Sequence, residues 1–124
     1  MPLIYLFTLI IGLQFVVVDL LAEHFALYWR YDWLDMPMHT WGGIMIALSL
    51  ASCVRMGLFS KRFLTLWPMV ALVASILIGW ELFGIYRDYG FKVGWLSDTS
   101  SDLLCGALGF VIGRWFTKIL ERLA

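Results

Sequence analysis

The chain has 124 residues, of which 62% are hydrophobic, 17% aromatic and only 15% charged, with nine Lys and Arg against nine Asp and Glu. Soluble domains average near 45–50% apolar and about 25% charged, so a chain of mean hydropathy +0.86 has too little polar surface to coat a water-soluble globule. A formal net charge of zero excludes a basic nucleic-acid-binding surface.

Four apolar stretches are long enough to cross a bilayer, at about 3–21, 38–56, 63–86 and 101–120. At 1.5 Å per residue each reaches roughly 28–36 Å, against a hydrocarbon core of ~30 Å. The expected class is an all-α polytopic membrane protein, a four-transmembrane-helix bundle forming one domain over 1–124. No Lys or Arg precedes the first stretch, which is also longer than the apolar part of a signal peptide. It is therefore expected as a retained helix. It carries Thr8, Gly12, Phe15, Asp19 and Glu23 on one small and polar face.

The loop from His24 to Pro37 is aromatic as well as charged, which predicts a short interfacial helix or re-entrant turn. Asp35-Met36-Pro37 predicts a helix start with Asp35 as N-cap. The second span continues the Asp35 and His39 face through Gly42, Gly43 and Ala47. A tight basic loop at 57–62 follows, then a third span with Trp80-Glu81 near its end and Ala71 and Ala74 on the Glu81 side. The stretch from Asp88 to Ser100 holds Gly90 and Gly94, and the run 97–102 supplies cap residues for the last helix. On that helix Asp98, Asp102, Gly106, Gly109 and Gly113 recur at three- and four-residue spacing. They form one stripe, and small residues on it let a neighbouring backbone approach.

Basic residues set the orientation. Arg55, Lys61, Arg62, Arg114, Lys118 and Arg122 fall on the side of both termini, and Arg30, Arg87 and Lys92 on the other. Six against three within short loops predicts cytoplasmic termini. Tyr28, Trp29, Tyr31, Trp33, Trp41, Trp80, Tyr86, Tyr89 and Trp95 cluster at the outer ends, and Tyr5, Trp67 and Trp115 near the inner ones. That distribution is an aromatic belt, with an outer excess that leaves room for a binding mouth. Cys53 and Cys105 fall near opposite ends of their spans, too far apart for a bridge.

Eight of the nine carboxylates, namely Asp19, Glu23, Asp32, Asp35, Glu81, Asp88, Asp98 and Asp102, fall at the outer end with His24 and His39; Glu121 does not. Each has a bland reading alone. Asp98 suits an N-cap, His39 a buried hydrogen-bonded histidine, and Glu81 an ion-pair partner of Arg30 or Arg87. Asp19, Glu23 and His24 suit a solvated helix end. A lone charge at mid-bilayer costs about 2.5–3.5 kcal/mol on insertion scales, so Asp35, His39, Glu81, Asp98 and Asp102 converging at one depth read as a site. Carboxylates with an imidazole suit a divalent cation: Mg²⁺, Ca²⁺ or Mn²⁺ by the oxygens, Zn²⁺ or Mn²⁺ by the nitrogen. In an enzyme, Asp98 and Asp102 with His39 would hold the metal, His39 would be general acid or base, and Asp35 and Glu81 would support it.

The pattern Asp35-xxx-His39, Trp80-Glu81 and Asp98-Thr99-xx-Asp102 followed by Gly106 and Gly109 resembles the VanZ-like proteins and related small bacterial inner-membrane families of unknown function. The resemblance covers about 32–113; Phe83 and Gly84 stand where relatives often carry a second acid, and the first helix has no counterpart. It implies a membrane bundle with the quoted residues at its site, in families associated with glycopeptide resistance. The expected function is an outward-facing acidic and histidine pocket that acts on or recognises an envelope lipid or its headgroup. The partner is then membrane lipid, with a second copy or another membrane protein open as a further partner and nucleic acid excluded. The rival class is non-enzymatic: a scaffold, accessory subunit or transporter component whose polar cluster is structural or relays protons.

Overall fold

The computed structural model describes residues 2–87 and 90–123. Asp88 and Tyr89, expected with the outer acids and aromatics, lie outside the described residues. The described chain is all-helical: α1 (Leu3–His24), a short α2 (Leu27–Arg30), α3 (Asp35–Arg55), α4 (Leu66–Arg87) and α5 (Trp95–Leu123). The four long helices are each long and apolar enough to cross a membrane.

The central element is α3. Its Ala47, Leu50 and Val54 meet Val73 of α4 and Phe110 of α5 in one cluster, while its Leu48 and Ala51 meet Ile4 of α1 and Leu120 of α5 in another. Only 6% of the apolar windows of α1 and α4 is buried, against 39% and 33% for α3 and α5. The packed pair is therefore α3 with α5, and the other two helices lean on it with most of their apolar surface uncovered.

Glycine permits that pairing. A Cβ on Gly109 would collide with the Thr40 backbone, and one on Gly43 would strike the Gly106 carbonyl and the Phe110 nitrogen. One on Gly113 would come within 2.8 Å of the Ala47 Cβ and the Ile44 Cα. The expected small-residue stripe is thus the helix crossing itself. On the other side of α3, the small and polar face of α1 makes the contact. Thr8 Oγ1 lies 2.8 Å from Ser52 Oγ, and Phe15 stands edge-on to Trp41 with ring centroids 5.9 Å apart.

Two helix starts differ from expectation. Asp35 is not an N-cap. A 3-10 turn over Asp32–Leu34 runs straight into α3, and Asp35 has helical φ and ψ of −60° and −41°. Its carboxylate reaches forward to His39 instead. The last helix begins at Trp95, so the run 97–102 is helical throughout and Asp98 sits in the first turn without capping it. The chain enters that helix through Gly94 at φ 79°, whose carbonyl accepts from the Asp98 amide. Glycine supplies this left-handed turn without steric cost. A short helix does stand in that loop, α2, and it is reached through Ala26 at φ 53°. Cys53 and Cys105 are both unbridged, as expected.

Candidate metal centre

The centre assembles on the α3–α5 crossing. Asp35 and His39 stand four residues apart on the first turns of α3, hence on one face. His39 Nε2 lies 3.2 Å from Asp35 Oδ1 and 3.4 Å from Asp102 Oδ2 of α5. Its other ring nitrogen, Nδ1, faces Glu81 Oε1 of α4 at 3.8 Å. That is ion-pair range and longer than a hydrogen bond. Asp102 is buried at 5% exposure, whereas the Asp35 side chain is 39% exposed. The pocket is therefore closed on the α5 side and open past Asp35.

One ligand atom from each of Asp35, His39 and Asp102 lies within 4.8 Å of the others, so the group can hold a metal ion. Three protein donors leave coordination positions for water or substrate, as catalytic metal sites do. The placement of Glu81 suits the same reading. A metal-ligating histidine usually gives its other ring N–H to a carboxylate, which fixes the tautomer and ring orientation.

The group that comes together is Asp35, expected as a support, with His39 and Asp102; Asp98, expected as a ligand beside them, lines the same cleft one turn earlier on α5. The i, i+4 step from Asp35 to His39 was visible in the sequence. That Asp102 alone of the two α5 aspartates reaches the imidazole depends on how α5 crosses α3. Glu81 pairs with neither Arg30 nor Arg87: it faces His39, and Arg87 Nη1 lies 3.6 Å from Glu23 Oε1.

Asp19, Glu23, Glu81 and Asp98 line, together with the three donors, a cleft of about 1650 Å³ between α4 and the other long helices. Asp32 and His24 are not on its wall. Tyr28 is a cleft residue that reads in the sequence as one more belt aromatic. Its hydroxyl donates to Asp19 Oδ1 at 2.6 Å. Burial and that hydrogen bond hold the phenol well above its ordinary pKa, so it stays a neutral donor. The contact joins α2 to α1 across the Ala26 turn, and no sequence periodicity signals it. No protein-family model, curated protein or solved structure matches the chain.

Proposed function

We propose that this chain is a polytopic bacterial inner-membrane protein related to the VanZ-like families, whose Asp35–His39–Asp102 centre binds a divalent cation and works on the headgroup of an envelope lipid. The observation that carries the reading is the meeting of three ligand atoms within 4.8 Å, with Glu81 behind the imidazole. Apolar helices with uncovered flanks support the membrane setting. Exposed Trp29, Trp33, Trp80 and Tyr86 at the acidic end, with Trp67 and Trp115 towards the other, suit a belt at each interface. A divalent ion supplies Lewis acidity toward a phosphoryl or carbonyl oxygen of the headgroup. Asp102 and Asp35 would provide the charge that retains it, His39 Nε2 the third donor, and Glu81 the orientation of the ring.

Titration of the detergent-solubilised protein with Mn²⁺, followed by electron paramagnetic resonance, tests this. One ion per chain is expected, with a rise in Tm corresponding to about 2.7 kcal/mol at a hundredfold excess over Kd. Affinity falls from pH 7 to pH 5, because imidazole and carboxylates must be deprotonated to bind. The rival structural reading has one observation in its favour: among the described residues, no buried side-chain polar atom lacks a hydrogen-bond partner. Absence of both Mn²⁺ binding and any Tm shift with Mg²⁺ or Zn²⁺ would decide for that rival.

The topology is testable separately. With six basic residues against three, reporters fused at either terminus should read cytoplasm, and one inserted at Gly90 should read exterior. An exterior C-terminus would reverse the orientation and put the centre on the cytoplasmic face.

A further inference from the structure

The cleft is far larger than a headgroup needs. Small-molecule pockets run to roughly 300–1,000 Å³, and this one holds about 1650 Å³. Its composition changes along its length. Near the centre the wall carries Asp19, Glu81, Asp98, Asp102, Arg87 and Lys92; beyond His39 it is lined by Met45, Ile46, Leu50, Leu72, Ile76 and Leu77 as far as Cys53 and Phe59. On α3 the step from His39 to Cys53 is 14 residues, or roughly 21 Å. One leaflet's share of a hydrocarbon core is only about 15 Å. A chain tethered at the centre and lying in this cleft would thus run past the midplane into the opposite leaflet. The acyl chains of a glycerophospholipid stop short of that, and a longer single chain does not.

We propose that the cleft seats a single-chain lipid phosphate of the polyisoprenoid class, with its phosphate at the metal centre and its chain against α3 and α4 toward Cys53. The proposal rests on the headgroup reading above and names its substrate class. Lys92 and Arg87, the latter 3.6 Å from Glu23, are the basic groups on this wall for phosphate oxygens, and a divalent cation would stand between the phosphate and the carboxylates of Asp35, Glu81, Asp98 and Asp102 that share it. Shape fits it too, since the small Ser49 stands among the apolar lining residues of α3.

The test is native mass spectrometry of the full chain in detergent with Mn²⁺, comparing a long-chain polyprenyl phosphate, geranyl phosphate and phosphatidic acid. The first should bind at least about tenfold more tightly than the other two, because only it fills the apolar length. Ser49→Phe, which plugs the cleft about 15 Å from His39, should bring polyprenyl phosphate down to the level of geranyl phosphate. Mn²⁺ affinity should not change. Ile76→Trp on the opposing α4 wall, at a residue 42% exposed, should do the same without disturbing a packed core. Equal binding of the three lipids, or insensitivity to both plugs while Mn²⁺ still binds, overturns the chain-binding cleft and leaves the metal centre standing. Phosphatidic acid binding tightest, or a second copy of the chain covering the cleft, overturns it as well. Loss of Mn²⁺ and of every phosphate probe alike overturns both readings.

Discussion

Replacing Asp102 by Asn should abolish divalent-cation binding while the protein still folds. The substitution keeps the shape and one acceptor of the side chain but removes the most buried carboxyl of the three candidate ligands, 3.4 Å from His39 Nε2. A neutral amide is a poor ligand for a hard cation, and we expect affinity to fall at least about 100-fold, roughly 2.8 kcal/mol. Stability without metal should hold, since Asn keeps the shape of the side chain and its capacity to hydrogen-bond at the crossing. Glu81→Gln should cost less, about 10- to 100-fold in affinity, because Glu81 orients the ring without touching the ion. Asp98→Asn should change affinity little, as that carboxylate is outside the donor group. Isothermal titration and thermal unfolding of the three variants in one detergent separate these effects. A drop in Tm for Asp102→Asn with no change in metal response would mark the cluster as structural, and an Asp98→Asn effect equal to that of Asp102→Asn would refute the donor assignment.

Gly109→Leu is expected to be the most damaging single change in the bundle, and Val111→Leu nearly silent. Any Cβ at position 109 runs into the Thr40 backbone of α3, and a helix backbone cannot yield as a flexible side chain can. The helices must part, and overpacking of this kind costs typically 1–3 kcal/mol and occasionally more. Val111 is 64% exposed and points away from the crossing, so an added methylene there meets only the surrounding medium. The damage should extend to the site. Thr40 adjoins His39, and Asp102 lies two turns from Gly109 on the same stripe. Wedging the helices apart at Thr40 therefore separates Asp102 from His39. Thermal unfolding and Mn²⁺ titration of both variants should show Gly109→Leu failing in each and Val111→Leu matching the parent. Equal tolerance at the two positions would mean that this crossing does not hold the bundle together.

Several features of the molecule were legible without coordinates because they depend on neighbours along one helix. Long apolar runs mark the four helices, since length and hydropathy are properties of a segment alone. The four-residue step from Asp35 to His39 places both on one face of any helix that contains them, and the 3.2 Å contact follows. The glycine stripe of α5 announces a close crossing, although it does not say with which partner. That the acids gather at one end also follows from helix order and direction.

The remainder was decided by tertiary structure. Asp35 looked like a cap because its local sequence suits one, but the 3-10 turn before it carries the helix through and frees the carboxylate for His39. Asp98 and Asp102 are equivalent in spacing, yet only Asp102 stands where α5 crosses α3, so which of the two carboxyls meets His39 is set by a crossing between segments distant in sequence. Glu81 had two plausible basic partners by sequence distance and instead faces the imidazole, because α4 leans toward the α3–α5 pair from the side. The cleft itself has no signature in the chain, since it is the space left where α4 stands off from α3 over most of their length. The sequence by itself determined which segments are helices and which of their faces carry small and acidic residues. How those faces meet was left to packing between segments, where one-sided periodicity carries no information about the opposing surface.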